Sequence, residues 1–113
     1  MRVLVDTNVF LDVLLKREPF CKDSIVILYL AKETVISAIL TAVSMTTIFY
    51  ILQKYKTSTV EIHQELEKLT ALFSVASVSG TTIENALSLR WNDFEDAVQF
   101  IAAKENKADY IIT

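Results

Sequence analysis

One stretch near the start of the chain decides the fold: Arg2-Val3-Leu4-Val5-Asp6-Thr7-Asn8-Val9. Its apolar, branched first half is typical of a buried β-strand. The strand pattern stops at Asp6, and a helical pattern begins at once after it. In open α/β sheets, ligands bind at the carboxyl ends of the strands, where helices begin. A carboxylate such as Asp6 is costly to bury there unless a cation, hydrogen-bond donors or water satisfy it.

Strand-like and helical patterns alternate along the rest of the chain, which is typical of a parallel sheet covered by helices. The patterns predict strands near residues 2–6, 36–41, 74–79 and 108–113. They predict helices near residues 8–16, 21–34, 43–56, 59–72, 82–89 and 94–106. We therefore expect an α/β fold with three layers, α/β/α, around a central parallel sheet. One glycine and one proline leave little room for linkers, so residues 1–113 are predicted to form a single domain.

Composition and charge narrow the function classes. The longest apolar stretch, residues 25–31, is far shorter than the roughly 20 residues of a membrane span. We expect no signal peptide and no membrane contact. A formal net charge of −3 argues against binding of nucleic acid by bulk electrostatics. The single cysteine, Cys21, fits a reducing cytoplasm.

The second predicted helix is apolar almost all round in its middle, over residues 25–30. Such a helix is either deeply buried or a contact face. Hydrophobic residues make up 52% of the chain, and the mean hydropathy is +0.38. This apolar excess fits a partner surface or a well-filled core, and together with the apolar helix it predicts a homodimer face of about the standard interface size.

Two helix starts have capping-box spacing, Ser58 with Glu61 and Thr81 with Glu84.

Polar side chains collect where the predicted strands end. Asp6 follows the first strand, and Thr41 and Ser44 follow the second. Asp93 and Asp96 are three residues apart and share one face at the start of the last predicted helix. In a parallel sheet, Asp6 and this pair are expected to converge at the carboxyl edge. Carboxylates that lie so close repel each other and stay ionised together only around a cation.

The chemistry of this donor set selects the kind of cation. Oxygen ligands without a histidine or cysteine cluster favour Mg²⁺ or Mn²⁺ over zinc. A hard divalent ion in an acidic cleft usually handles phosphate, because it activates water and neutralises charge on the phosphoryl group. The sequence therefore predicts a metal site for phosphate chemistry formed by Asp6, Asp93 and Asp96.

Three segments resemble the PIN domain, the nuclease fold of VapC-type toxins: residues 3–9 (VLVDTNV), 93–98 (DFEDAV) and 108–113 (ADYIIT). The resemblance covers essentially the whole chain. It implies a parallel five-stranded sheet, metal-dependent cleavage of RNA and, in many members, an antitoxin partner. At the matching positions, Asp6 corresponds to the first metal-binding acid of the family and Asp96 to the third. Asn8 and either Thr41 or Ser44 correspond to polar residues that orient ligands or water.

The chain departs from the family pattern at two places. The usual second acid, a glutamate on the helix after the second strand, corresponds to Thr47 here. The fourth acid and the last strand of the family lie beyond Thr113, where this sequence ends, so we expect a sheet that lacks that strand. Asp93 and Glu95 are candidates to replace the missing carboxylates. Weak metal affinity is expected, because ligand count and charge largely set it.

Several of these residues also have a purely structural interpretation. Asp6 and Asn8 are good N-cap residues for the first helix, and Asp93 is an equally good cap for the helix that starts after it. An acid in a first turn, such as Asp96, is stabilised by the helix dipole. The functional interpretation is favoured for Asp6 and Asp96, and capping for Asp93. Asn8 remains open between the two.

Three functions are compatible with the sequence. The first is a Mg²⁺-dependent ribonuclease, in which Asp6 and Asp96 bind the metal that activates the attacking water. The second is a catalytically degenerate PIN module that binds RNA or a protein partner, and the threonine at position 47 favours it. The third is another Mg²⁺-dependent α/β phosphatase, such as a haloacid-dehalogenase-like enzyme. That chemistry needs a second aspartate where this chain has Asn8, so it ranks last.

Overall fold

The computed structural model of the protein describes residues 1–55 and 58–113. The elements follow in the order β1 (Arg2–Val5), α1 (Thr7–Leu14), α2 (Phe20–Lys32), β2 (Ser37–Thr41), α3 (Ala42–Tyr55), α4 (Thr59–Leu72), β3 (Ser74–Ala76), α5 (Gly80–Ser88), α6 (Phe94–Glu105) and β4 (Tyr110–Ile112). Each predicted element is found within a few residues of its expected bounds. The predicted last residue of α3, Lys56, lies outside the described residues.

The strands of the described residues form one parallel sheet in the order β3-β2-β1-β4. In this sheet Val3 pairs with Ala38 of β2 on one side and with Tyr110 of β4 on the other. The resemblance to the family implied five strands, and the described residues contain four. The chain first adds strands on one side of β1 and then crosses over to add β4 on the other. The crevice between β1 and β4 is therefore the topological switch point, where open α/β sheets bind ligands.

The alternation of side chains along β1 divides the core into layers. Val3 and Val5 belong to a large cluster with residues of α1, α2, α3 and α4. Leu4 points to the opposite side and contacts Ala102 and Ala103 of α6. A smaller cluster joins α5 to α6. Helices thus cover both faces of the sheet, and the expected three-layer α/β/α fold is confirmed.

Helix α2 is a half-exposed helix and not a deeply buried one. Ile27 and Leu28 are partly buried against the core. Ile25, Val26 and Tyr29 are 48%, 52% and 58% exposed. The apolar middle of this helix therefore presents a hydrophobic surface to its surroundings. Neither α2 nor any other helix within residues 1–55 and 58–113 has the length and hydropathy to cross a membrane.

One of the two predicted helix caps is confirmed and the other is wrong. The Ser58 side chain accepts a hydrogen bond from the Glu61 N–H at the start of α4. Helix α5 begins at Gly80, and its capping box is formed by Ser79 and Thr82 instead of Thr81 and Glu84. Ser79 stands two residues earlier with the same hydroxyl chemistry, so the helix gains an extra half turn.

Candidate active site

Asp6 lies at the carboxyl end of β1, at the edge of the switch-point crevice. Its N–H donates to the carbonyl of Ile112 in β4 at 2.8 Å, which continues the ladder between the two strands. Its Oδ2 accepts a hydrogen bond from the Asn8 N–H at 3.3 Å, so the residue is the N-cap of α1. The residue is only 6% exposed. One long hydrogen bond leaves most of the carboxylate's acceptor capacity free, so the capping role does not use up the side chain.

Asp96 brings a second carboxylate to the same crevice from the first turn of α6. Asp6 and Asp96 line one pocket of about 260 Å³; its other lining residues are Trp91, Gln99, Phe100, Ile111 and Thr113. Asp96 is exposed, but partial desolvation of its carboxyl group, and repulsion from the carboxylates of Asp93, Asp6 and Glu95, raise the pKa of Asp96 above its ordinary value. The acids of this edge therefore lie close enough to oppose each other's ionisation.

The two acids that flank Asp96 differ in what they contact. Asp93 is exposed and caps α6, because its Oδ1 accepts a hydrogen bond from the Asp96 N–H at 3.1 Å. Glu95 is half-buried, and both of its oxygens accept hydrogen bonds. Thr47 donates to its Oε1 at 3.0 Å and Thr7 donates to its Oε2 at 3.2 Å. Glu95 therefore reaches from α6 to the start of α1 and to the first turns of α3.

A chain of hydrogen-bonded hydroxyls runs from the buried side of the site to Glu95. Thr41 Oγ1 donates to Ser44 Oγ at 3.3 Å, and Ser44 Oγ lies 2.7 Å from Thr7 Oγ1, whose hydrogen bond to Glu95 completes the chain. Thr41 and Ser44 are fully buried. They were expected to orient ligands or water, and in the structure their hydrogen bonds run to other side chains of the site.

The sequence interpretation missed two residues of this site, Thr7, which directly follows Asp6, and Gln99. Gln99 is a buried residue of α6. It is 3% exposed, and its Nε2 donates to Ser44 Oγ at 2.7 Å and to Thr7 Oγ1 at 3.3 Å. Within the described residues, its Oε1 is the one buried side-chain oxygen or nitrogen that has no hydrogen-bond partner. The signal was its spacing, since a residue three positions after Asp96 lies on the same side of a helix. A polar residue in the apolar run after Asp96 indicates a polar neighbour.

Not every predicted residue joins this group. Asn8 is exposed in the first turn of α1, where its backbone N–H serves the Asp6 cap. Thr47 contacts Glu95 and so belongs to the site as a hydrogen-bond donor, without a charge of its own. The structure thus places Asp6 and Asp96 on one pocket and links Glu95 with Thr47 through one hydrogen bond. The buried hydroxyls of Thr41 and Ser44 connect to Glu95 through Thr7.

The donor set fits a hard divalent ion held largely through water. Residues 1–55 and 58–113 contain no group of three or more histidine, cysteine or acidic side chains that could hold one metal ion. Mg²⁺, however, usually binds through one or two carboxylates, keeps several waters and completes its shell with substrate phosphate. Asp6 and Asp96 offer those two carboxylates in one pocket, and the mutual repulsion that raises the pKa of Asp96 is of the kind a cation relieves.

A larger groove lies elsewhere on the molecule and has a different character. It measures about 510 Å³ and is lined by Leu14, Leu15, Lys16, Arg17 and Tyr55. It has cations and apolar side chains but no carboxylate. The carboxylates that could hold a metal ion, Asp6 and Asp96, lie in the smaller pocket at the switch point.

Comparison with known proteins agrees with the fold and the motifs. The chain matches the PIN domain family over residues 2–113. Among solved structures it is similar to VapBC2 from Rickettsia felis bound to a DNA fragment from their promoter, with a TM-score of 0.69 and 13% identity, covering 97% of this chain and 86% of that one. It is also similar to a toxin-antitoxin complex from Klebsiella pneumoniae, with a TM-score of 0.62 and 19% identity, covering 96% of this chain and 82% of that one. A search of curated proteins gave no match. Because the family match spans all but the first residue and the fold agrees with both structures, the chain belongs to the PIN domain family.

Proposed function

We propose that the protein is a Mg²⁺- or Mn²⁺-dependent ribonuclease of the VapC toxin type, which hydrolyses RNA phosphodiester bonds at the switch-point pocket. The observation that carries this proposal is the meeting of Asp6 and Asp96 on one pocket at the carboxyl edge of the sheet. The family match and the similarity to toxin-antitoxin structures support it. Family membership also favours a nuclease over an α/β phosphatase.

In this proposal the residues of the site have different roles. Asp6 and Asp96 would hold the divalent ion, and Glu95 would supply a further carboxylate, directly or through water. Bound there, the ion would neutralise charge on the phosphoryl group and lower the pKa of water. Thr47 and Thr7 fix both oxygens of Glu95, so its carboxylate is already oriented before substrate arrives. Gln99 and Ser44 hold Thr7 in place from the buried side.

The test is the cleavage of a mixed-sequence RNA in the presence of Mg²⁺ or Mn²⁺. Asp6→Asn keeps the size and the capping ability of the side chain but removes its charge. We expect it to lose cleavage while its circular dichroism stays that of the original chain. Asp23→Asn is the matched control, because Asp23 is an exposed acid of α2 that does not line the pocket. Full activity of Asp6→Asn would contradict the mechanism.

A second candidate function is a degenerate PIN module that binds RNA or a protein without cutting it. The uncharged Thr47 and the lack of a three-acid metal group in the described ranges favour it. The same assay separates the two functions. RNA binding that persists in a chelator and in Asp6→Asn, together with no cleavage when Mg²⁺ or Mn²⁺ is present, would support the binding module and exclude the nuclease.

We further propose that the protein is a homodimer and that it pairs with an antitoxin in the cytoplasm. One structural neighbour is a toxin-antitoxin complex and the other is VapBC2 bound to promoter DNA, and the lone, buried Cys21 suits a reducing compartment. The exposed apolar side of α2, formed by Ile25, Val26 and Tyr29, is the candidate dimer face.

Sedimentation of the original chain tests the dimer. Val26→Lys places a charge at the centre of the α2 face and should convert a dimer into a monomer. Val60→Lys is the control, since Val60 is an exposed valine on a different helix, α4, and is 66% exposed against 52% for Val26. A monomeric original chain at high concentration would rule out this face as a dimer interface.

A further inference from the structure

Trp91 occupies a fixed position on the loop between α5 and α6. The preceding residue, Arg90, adopts a left-handed backbone with φ 58° and ends α5 by donating its N–H to the Leu87 carbonyl at 3.2 Å. The indole ring lies 5.2 Å from the ring of Phe100, measured between centroids, with a tilt of 42° between the planes. Phe100 on helix α6 thus supports one part of the indole, while 45% of Trp91 remains exposed.

The Trp91 ring belongs to the same pocket as the two carboxylates. That pocket combines Asp6 and Asp96 with an apolar wall formed by Trp91, Phe100 and Ile111. A pocket of about 260 Å³ is smaller than the roughly 300–1,000 Å³ of sites for drug-sized ligands. It suits a single flat ring better than a folded peptide segment. Trp91 also lines a neighbouring pocket with Arg90 and Phe94.

The charge of the protein favours such a wall in an RNA-cleaving enzyme. The chain carries a net charge of −3, and the acids beside the pocket repel phosphates. Phosphate contacts from surface cations are therefore a weak source of affinity here. Stacking of bases on aromatic side chains does not depend on net charge and tolerates any base.

We propose that Trp91, supported by Phe100, is the platform on which a base of the substrate stacks next to the scissile phosphodiester. The proposal rests on the ribonuclease function given above and adds a substrate-binding residue to it. Arg90, next to Trp91 in sequence, supplies a cation for a neighbouring phosphate. The platform holds any base, so it positions the strand without selecting a sequence.

Trp91 is the only tryptophan of the chain, so its fluorescence reports directly on the platform. The probe is a mixed 2′-O-methyl tetranucleotide in EDTA, which prevents metal-dependent cleavage. We expect saturable quenching by the tetranucleotide and none by ribose 5-phosphate, which has no base. Equal quenching by ribose 5-phosphate would overturn the proposal. So would an absence of quenching by the oligonucleotide, which is the outcome if the pocket takes a protein side chain instead.

Variants separate stacking from a role in folding. With a labelled tetranucleotide followed by anisotropy, Trp91→Phe should bind within about threefold of the original chain, and Trp91→Leu should bind about tenfold or more weakly. Tyr50→Leu is the control, because Tyr50 is 60% exposed on α3 and does not line the pocket. Unchanged binding by a folded Trp91→Leu overturns the platform even if RNA is cleaved.

Quenching by the tetranucleotide without metal-dependent cleavage of RNA by the original chain would leave the platform standing and overturn the ribonuclease instead.

Discussion

Thr47 Oγ1 donates a hydrogen bond to Glu95 Oε1 over 3.0 Å, and this contact joins α3 to the first turn of α6. The resemblance to the PIN domain family implies that Thr47 stands at the position of the family's usual second acid. The structure therefore brings a carboxylate to the side of that position, but from a different helix. Glu95 on α6, hydrogen-bonded to Thr47 on α3, thus puts a carboxylate next to the place where a glutamate on α3 would stand.

Glu95→Gln should weaken metal binding without unfolding the protein. The amide keeps the size of the side chain and one acceptor for Thr47, but it removes a negative charge from the site. We expect the Mn²⁺ concentration for half-maximal RNA cleavage to rise about tenfold or more, since ligand charge and its oriented partners set metal affinity. Isothermal titration with Mn²⁺ measures the dissociation constant itself, and the same weakening is expected there without relying on activity.

A charge swap controls for a purely structural effect of Glu95. Thr47→Glu alone would place a second carboxylate beside that of Glu95 and should destabilise the fold. In the Glu95→Gln background the same substitution restores one carboxylate at this place, so it should recover part of the Mn²⁺ affinity. If Glu95→Gln leaves the metal dependence unchanged, Glu95 is only a link between helices.

Asp96→Asn should stabilise the apo protein at neutral pH and not at acid pH. Burial and the neighbouring acids raise the folded-state pKa of Asp96 above its ordinary value of 3.8. The folded protein therefore binds this proton more tightly than the unfolded chain, so the stabilising contribution is complete below pH 3.8 and is lost as the pH rises through the folded pKa. Above that pKa the charged Asp96 is disfavoured by the fold, and asparagine removes the repulsion.

Thermal unfolding followed by circular dichroism checks this difference. The melting temperature of Asp96→Asn should exceed that of the original chain at pH 7 and approach it at pH 3. Mg²⁺ should raise the melting temperature of the original chain more than that of the variant, because it relieves the same repulsion. A variant that is less stable than the original chain at pH 7 would show that the carboxylate has a structural role.

Periodicity in the sequence sufficed to predict the elements and the three-layer arrangement, because each strand and helix carries its own local pattern. Val3 and Val5 face the helices on one side of the sheet and Leu4 faces those on the other, because successive side chains of a strand point to opposite faces. The start of α5 was missed by two residues. Ser79 and Thr81 have the same capping chemistry, and the earlier start is favoured by the capping box of Ser79 with Thr82 and by the contact of Thr82 with Glu105 at 2.7 Å, across 23 residues.

The site could be predicted only in part, for a related reason. Asp6 and Asp96 are marked by their places at a strand end and on a helix start, which are local features. The link between Thr47 and Glu95 spans 48 residues, and that between Ser44 and Gln99 spans 55. Such contacts depend on how α3 and α6 approach across the sheet edge. No local pattern in the sequence encodes that approach.

Thr34→Gly should stabilise the protein. Helix α2 ends in a Schellman motif, in which the Thr34 N–H donates to the Ala31 carbonyl and the Val35 N–H donates to the Leu30 carbonyl. Thr34 adopts φ 56° there, a left-handed conformation that is unfavourable for a β-branched residue. Glycine has no such cost, so we expect a gain of about 1 kcal/mol in the free energy of unfolding, measured with urea.

The matched control for Thr34 is Thr70→Gly in the exposed part of α4. Thr70 has a helical backbone and donates its hydroxyl to the Glu67 carbonyl. Glycine should lower the stability there, because it has a lower helix propensity than threonine. Stabilisation at both positions would mean that the gain at residue 34 does not come from its left-handed backbone.

Ser44→Ala should destabilise the fold through the buried amide of Gln99. Ser44 Oγ is the closer of two acceptors for the Gln99 Nε2, at 2.7 Å against 3.3 Å for Thr7. Without this hydroxyl a buried donor keeps only the longer contact, next to an Oε1 that already has no partner. An unsatisfied buried polar group costs about 1–3 kcal/mol, so urea unfolding should show a loss in that range.

Ser88→Ala, which removes an exposed hydroxyl that donates to the Glu84 carbonyl, should change the stability by less than about 0.5 kcal/mol. Equal effects of the two substitutions would mean that Gln99 does not depend on Ser44, and that Thr7 alone keeps it in place below Glu95.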